Sequence, residues 1–198
     1  MNSQNKNILI GGLLAIVLVM AVGYAAFATQ LNITGTASIT SNWDVHFNKT
    51  AQVSGDVAPA KTFSSGALPS GTITYGSGDK PLTATVHADL NQPGDSVTFT
   101  LRIINAGTIN ATASTPTLTG TGFTISGLTA TKGHIRFDVT APVGKPSGTL
   151  LNAGQATTMT VKATFIDTGG ETDGSGTTGN MSTESSGTLT ISLNYTQA

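Results

Sequence analysis

The chain has 198 residues, with nine Lys plus Arg against ten Asp plus Glu, three His and no Cys. A near-neutral chain without a basic run excludes nucleic acid as a primary partner. The missing cysteines exclude a disulfide framework and a thiolate metal site.

Residues Ile8 to Phe27 carry no charge and depart from a strongly apolar, helix-compatible composition only at Gly11, Gly12, Gly23 and Tyr24. That length spans a bilayer. Lys6 is the one early cation and none follows until Lys49, so Lys6 and the amino terminus are expected to stay inside while the rest is exported. The triplet Ala26-Phe27-Ala28 places small side chains where a signal peptidase reads them, giving a mature start at Thr29. Cleavage after Ala25 is a second option, and a permanent anchor is a third. Residues 1–28 are therefore expected to be a signal peptide or membrane anchor. The signal peptidase would be a partner during export, and the membrane would be met only through residues 8–27, before cleavage.

From Ala25 to Phe47 the apolar run passes without a break into strand-like alternation. Phe27, Leu31, Ile33, Ala37, Ile39, Trp43, Val45 and Phe47 share one parity, with Thr, Asn and Ser filling most positions between. A period of two puts them on one face of an extended chain. Residues 29–40 hold no charge and no Pro, which suits a donated strand whose backbone supplies affinity while Leu31, Ile33, Ala37 and Ile39 enter pockets.

The remainder, residues 29–198, reads as one all-β domain, long enough to bury about 70% of the surface its unfolded chain exposes. Thr and Gly alternate with Val, Ile, Phe and Leu, as suits half-buried strands joined by tight turns. Expected strands are 43–48, 51–57, 71–75 and 82–88. The clearest is 96–105, where Val97, Phe99, Leu101 and Ile103 alternate with Thr98, Thr100 and Arg102. It follows Gln92-Pro93-Gly94-Asp95, in which Pro presets one turn dihedral and Gly permits the positive one. Further strands are expected at 123–126, 134–140, 159–165 and 189–195. This spacing predicts a sandwich or barrel. A weak echo at a period of about sixty residues matches Leu90-Asn91-Gln92-Pro93-Gly94 with Leu151-Asn152-Ala153-Gly154 and Thr98–Arg102 with Thr158–Lys162. Two copies read as equivalent turn-strand units of one domain, since an array needs more. Residues 167–186, rich in Gly, Thr and Ser, are expected to be an exposed loop.

Catalytic constellations are missing. His46, His87 and His134 stand apart with no paired-His spacing, there is no nucleophile elbow, and the expectation is no enzyme and no cofactor. Asp167, Glu171 and Asp173 are weak calcium candidates in their Gly-rich loop. They lack the EF-hand order and its closing Glu. Asn32-Ile33-Thr34, Asn48-Lys49-Thr50, Asn110-Ala111-Thr112, Asn180-Met181-Ser182 and Asn194-Tyr195-Thr196 fit the N-glycosylation pattern, which arises easily by chance in a Thr-rich chain. Leu68-Pro69-Ser70-Gly71-Thr72 has its Thr and Gly in the wrong order for a sortase signal.

The apolar segment ending Tyr24-Ala25-Ala26-Phe27, the alternating strand after it, the Pro93–Thr100 turn-strand and the closing Leu189–Tyr195 together resemble the TasA/camelysin-like family of exported fibre subunits, which includes archaeal bundling-pilus relatives. The resemblance implies a jelly-roll or Ig-like β-sandwich, signal removal, and assembly into a pilus or biofilm matrix fibre in which the amino-terminal strand of one subunit fills a groove in the next. Camelysin's described protease activity finds no zinc motif here. Type IV pilins are less similar, because no Gly-Phe with a later Glu opens the apolar segment. The expected function is thus a secreted structural subunit of a cell-surface filament, a head-to-tail homopolymer whose partner is itself. The alternative is a membrane-anchored Ig-like module that binds a surface ligand as a monomer.

Overall fold

The computed structural model describes residues 3–27, 40–62, 66–140, 142, 150–166 and 186–198. The chain divides into two units, residues 1–39 and residues 40–198.

The first unit contains helix α1 (Ser3–Phe27), with no acidic residue in its first turn and no basic residue in its last. Its residues Gln4–Val22 have a mean hydropathy of 2.0 and leave Ile8, Leu13, Val17, Met20 and Val22 all more than half exposed. A helix apolar on every face has no polar side to turn to water. By length and composition it can cross a membrane, as a signal sequence or anchor does.

The second unit is built from strands β1 (Val45–Phe47), β2 (Val57–Ala60), β3 (Ser70–Tyr75), β4 (Thr83–Asp89), β5 (Ser96–Asn105), β6 (Ala111–Ala113), β7 (Thr117–Thr119), β8 (Thr124–Ser126), β9 (Thr129–Lys132), β10 (Ile135–Thr140), β11 (Leu150–Leu151), β12 (Ala156–Phe165), β13 (Ser186–Ser192) and β14 (Tyr195–Gln197). One sheet runs β1-β5-β12-β10-β9-β8, with β2 also on β5. A second runs β3-β4-β13-β7, and a small third is β11-β6-β14. Every pairing among the described residues is antiparallel. This confirms the all-β class behind an amino-terminal apolar helix.

Alternation decides which face is dry. Val97, Phe99, Leu101 and Ile103 of β5, Met159, Val161, Ala163 and Phe165 of β12, and Ile135, Phe137 and Val139 of β10 join Ala84, Val86 and Ala88 of β4 and Leu189 and Ile191 of β13 in one core. The sheets meet where side chains are missing. A methyl added at Gly71 of β3 would lie 2.7 Å from the Phe99 ring, and one at Gly187 of β13 would lie 3.2 Å from Phe137. Tyr75 packs on Phe47 with ring centroids 5.8 Å apart. Burying each large apolar side chain contributes about 1.5–3 kcal/mol.

The sequence echo has a geometric meaning. Thr100 pairs with Thr160 in register, and the two strands are related by a local two-fold about that pair. At one end Gly94 (φ 85°) donates to the Phe165 carbonyl at 3.0 Å while Phe165 N donates to the Asp95 carbonyl at 2.9 Å. At the other, Gly154 (φ 73°) donates to Asn105 at 2.8 Å while Asn105 N donates to Gln155 at 2.9 Å. The outer neighbours correspond as well. Val45 sits against Asn105 and Phe47 against Ile103, just as Ile135 sits against Phe165 and Phe137 against Ala163.

Two expectations need correction. Residues 51–57 are no strand: Lys49–Ala51 and Ser54–Asp56 form 3-10 turns, and pairing begins only at Val57. Asn48 caps the first turn by accepting from Ala51 N, and the Asp56 carboxylate holds the second by accepting from Val53 N at 2.8 Å. These local bonds win over a segment with little alternation. The closing strand also breaks in two. β13 ends at Ser192, and Asn194 turns the chain toward β6 by donating its Nδ2 to the Thr115 carbonyl at 2.8 Å and to Thr117 Oγ1 at 2.9 Å. Asp167, Glu171 and Asp173 lie outside the described residues.

Gly71→Ala should destabilise the sandwich by about 1–3 kcal/mol, because the new methyl overpacks against Phe99 and the His87 carbonyl. Gly55→Ala, whose methyl meets nothing within 4 Å, should change stability by no more than about 0.5 kcal/mol. Urea midpoints of the two variants test this, and equal shifts would deny the close sheet contact at Gly71.

Candidate assembly edges

An antiparallel sandwich that is not closed into a barrel ends in strands with one unpaired side, and such edges are either blunted or used. The large sheet blunts both of its edges. On the β5 side, β1 pairs with residues 103–105 and β2 with 96–99, and Asn48 N bridges the gap by donating to the Arg102 carbonyl at 2.8 Å. β2 carries Pro59, which removes a backbone donor from the rim. The far edge, β8, has three residues.

The smaller sheet is different. Its β7 edge is three residues long and covers only Thr190–Ser192 of β13. Beyond it a cleft of about 730 Å3 opens among Gly120, Phe123, Lys132, Gly187 and Thr188. Its opposite edge, β3, reads Ser70-Gly71-Thr72-Ile73-Thr74-Tyr75 and has neither a charge nor a Pro. β3 pairs with β4 along its whole length. No backbone bond reaches its outer side among the described residues. Thr72 and Thr74 are exposed, while Ile73 and Tyr75 pack against the core. Among the described residues β3 is the longest edge with no charge, no Pro and no second partner strand.

The loops beside that edge are fixed by buried carboxylates. Asp56, 2% exposed, accepts from Arg102 Nε at 3.0 Å and Nη2 at 2.8 Å in a two-pronged pair. The Arg102 bonds hold the Asp56 carboxyl below the ordinary carboxylate range, against the opposing effect of burial, and Val53 N adds to the lowering. The guanidinium is raised in turn, chiefly by the same bonds. The Tyr75 phenol, whose hydroxyl is buried without a hydrogen-bond partner among the described residues, is pushed up by that burial and then by Asp56.

A second cluster marks where the chain enters the sandwich. Asp44 accepts from Lys80 Nζ at 2.5 Å and lies 2.8 Å from His46 Nδ1. Burial raises the Asp44 pKa, but the bonds and charges of Lys80 and His46 outweigh it and leave the group lowered. The backbone is strapped at the same point: Thr108 N donates to Asn42 at 2.9 Å and Ala106 N to Asp44 at 2.8 Å. Only glycine fits beneath, since a methyl at Gly107 would lie 2.3 Å from the Asn42 carbonyl.

Ala26 falls near the end of α1. Ala28, Thr29 and the donor positions Leu31, Ile33, Ala37 and Ile39 lie outside the described residues. The three histidines stay apart: His46 meets Asp44, His87 meets Thr188 and Asp89, and His134 stacks on Phe165. No group of three or more metal-binding side chains occurs among the described residues. The exposed β3 edge and the Asp56–Arg102 pair were not singled out from the sequence. The uncharged SGTITY run could have flagged the first. Comparison with family models, curated proteins and solved structures returned no match.

Because Asp56 and Asp44 are lowered in the folded chain, the unfolded chain takes up their protons first as pH falls. Their stabilisation is complete above about pH 5 and is lost as pH drops through the ordinary and then the lowered values. Urea midpoints should therefore hold level down to about pH 5 and decline below about pH 4. Asp56→Asn should start lower and lose less over the acid limb. An unchanged acid limb in that variant would remove Asp56 from the account.

Proposed function

We propose that the protein is an exported structural subunit that polymerises head to tail, residues 29–40 of one copy pairing with an open edge of the next. The observation that carries the reading is the β3 edge: six residues without charge or Pro, paired with β4 on one side and with no backbone partner on the other among the described residues, on a sandwich whose described core begins only at Val45. The uncharged alternating run at 29–40 supplies a matching strand, and the apolar helix before it supplies export and a tether until cleavage. Donation of this kind is heterologous and does not close, so it yields filaments. The likeness to TasA/camelysin-like fibre subunits supports the same reading, with a cell-surface pilus or matrix fibre as the product.

Electron microscopy of the protein beginning at Thr29 should show filaments at raised concentration, and removal of residues 29–40 should abolish them. Ile33→Asp should do the same while leaving a folded monomer. Thr72→Lys with Thr74→Lys, which put charge on the exposed face of the β3 edge, should cut filament yield at least tenfold with little change in the melt. Filaments undiminished by Ile33→Asp would sink the donor role. Filaments undiminished by the β3 pair alone would move the acceptor to another edge, such as that of β13.

A further inference from the structure

Five Asn-X-Ser/Thr triplets occur in this chain, and the fold sorts the three that lie among the described residues. An N-linked sugar is bulky, so on a folded domain the modified amide nitrogen must face water and be free of fold contacts. Asn32 and Asn180 lie outside the described residues. Asn194 is exposed, yet its Nδ2 makes both bonds that turn the chain from β13 to β14, so substitution there would disturb that turn. Asn48 is half-buried beside Arg102 and Thr158. Its Oδ1 is drawn back onto its own turn by Thr50 Oγ1 at 2.9 Å and Ala51 N at 3.2 Å.

Asn110 differs from Asn48 and Asn194. It is exposed at the last position of the loop before β6. Its Oδ1 accepts from Ala153 N at 3.0 Å, which fixes the amide plane. Its Nδ2 has no protein partner among the described residues. Thr112, the third residue of the triplet, sits in β6 between Leu150 and Thr196, so the triplet would be read while the chain is still extended, during export.

We propose that Asn110 is an N-glycosylation site. The sugar donor would be a lipid-linked saccharide activated through an anomeric phosphate or pyrophosphate. The Asn110 Nδ2 forms a bond to the anomeric carbon as the bond from that carbon to the phosphate oxygen breaks. The lipid phosphate leaves with the electron pair, and one amide proton is released. The glycan stands at the pole where the chain enters the sandwich, because the Asn110 loop also carries Thr108, which holds Asn42, and because Ala198 N donates to the Asn110 carbonyl at 3.0 Å. The inference requires export but not filament assembly, so each can fail without the other.

The test is intact-mass and glycopeptide analysis of the full protein taken from the cells that make it. A saccharide increment on the Asn110 peptide is expected, lost entirely in Asn110→Gln and in Thr112→Val, kept in Thr112→Ser, and unaltered by Asn194→Gln. An unmodified Asn110 peptide in the unaltered protein overturns the proposal. So does an increment that survives Asn110→Gln and disappears in Asn48→Gln or Asn194→Gln.

Discussion

The pairing of β5 with β12 carries the sandwich. These ten-residue strands lie in register from Ala156 against Ile104 to Thr164 against Ser96, and both ends are closed by a positive-φ glycine whose N–H reaches the last carbonyl of the opposite strand. The two-fold about Thr100 and Thr160 means that each strand's turn also terminates its partner. One hairpin-like unit therefore presents a continuous inner face from Val97 to Ile103 and from Met159 to Phe165. β1 and β2 add to one side and β10 to the other. The second sheet lies on this face at points where Gly71 and Gly187 let backbone approach aromatic rings. Loss of register by one residue would turn Phe99, Leu101 and Ile103 toward water and Thr98, Thr100 and Arg102 inward.

A chain without cysteines has to hold its loops by other means. It uses buried polar side chains that accept from backbone donors, which also meets the requirement that buried polar groups be paired. Asp95 is fully buried and accepts from Asn91, Gln92 and Thr62 backbone N–H groups at 3.1–3.4 Å. Asn105, also fully buried, donates to the Ile109 and Leu151 carbonyls and accepts from Gly107 N. Asp56 accepts from Val53 N to hold the second 3-10 turn and adds Arg102. Each of these groups sits at the end or edge of a strand, so each fixes where pairing stops as well as what the loop does. In the smaller sheet, β3 has no second partner strand among the described residues.

The sequence revealed the elements whose alternation runs long enough to be counted. β5, β10 and β12 each show three or more apolar residues at every second position, and the Pro93-Gly94-Asp95 turn announced itself by residue type. β6, β7 and β9 are three or four residues long, too short for a period to register. β2 is masked by Pro59, which argues against a central strand and fits the rim where it lies. The break at Asn194 depends on two bonds from one amide to Thr115 and Thr117, residues about eighty positions away, and no local pattern encodes such a choice. The candidate site divides in the same way. A donor-like segment is a property of local pattern, while an open edge is a property of strand order, and strand order is set by which faces meet across the core.

The size of the β3 edge limits how the proposed assembly can work. A six-residue edge offers at most about six backbone hydrogen bonds, each with a net value of about 0.5–1.5 kcal/mol. Bringing two proteins together costs about 4–15 kcal/mol in lost freedom, so backbone pairing alone leaves little or no surplus. In the proposed assembly the difference would have to come from the donor side chains: Leu31, Ile33 and Ile39 would contribute about 1.5–3 kcal/mol each if fully buried. Alternation with uncharged Thr and Asn then does two jobs, supplying that burial on one face and a neutral, hydratable face on the other. The tether adds a kinetic condition. In the proposed assembly, an α1 held in a bilayer would confine the donor segment of every subunit near the membrane surface and raise its effective concentration toward neighbouring sandwiches. An edge of this strength would therefore favour the proposed assembly next to a membrane over association in dilute solution, where the same contacts would form only at raised concentration.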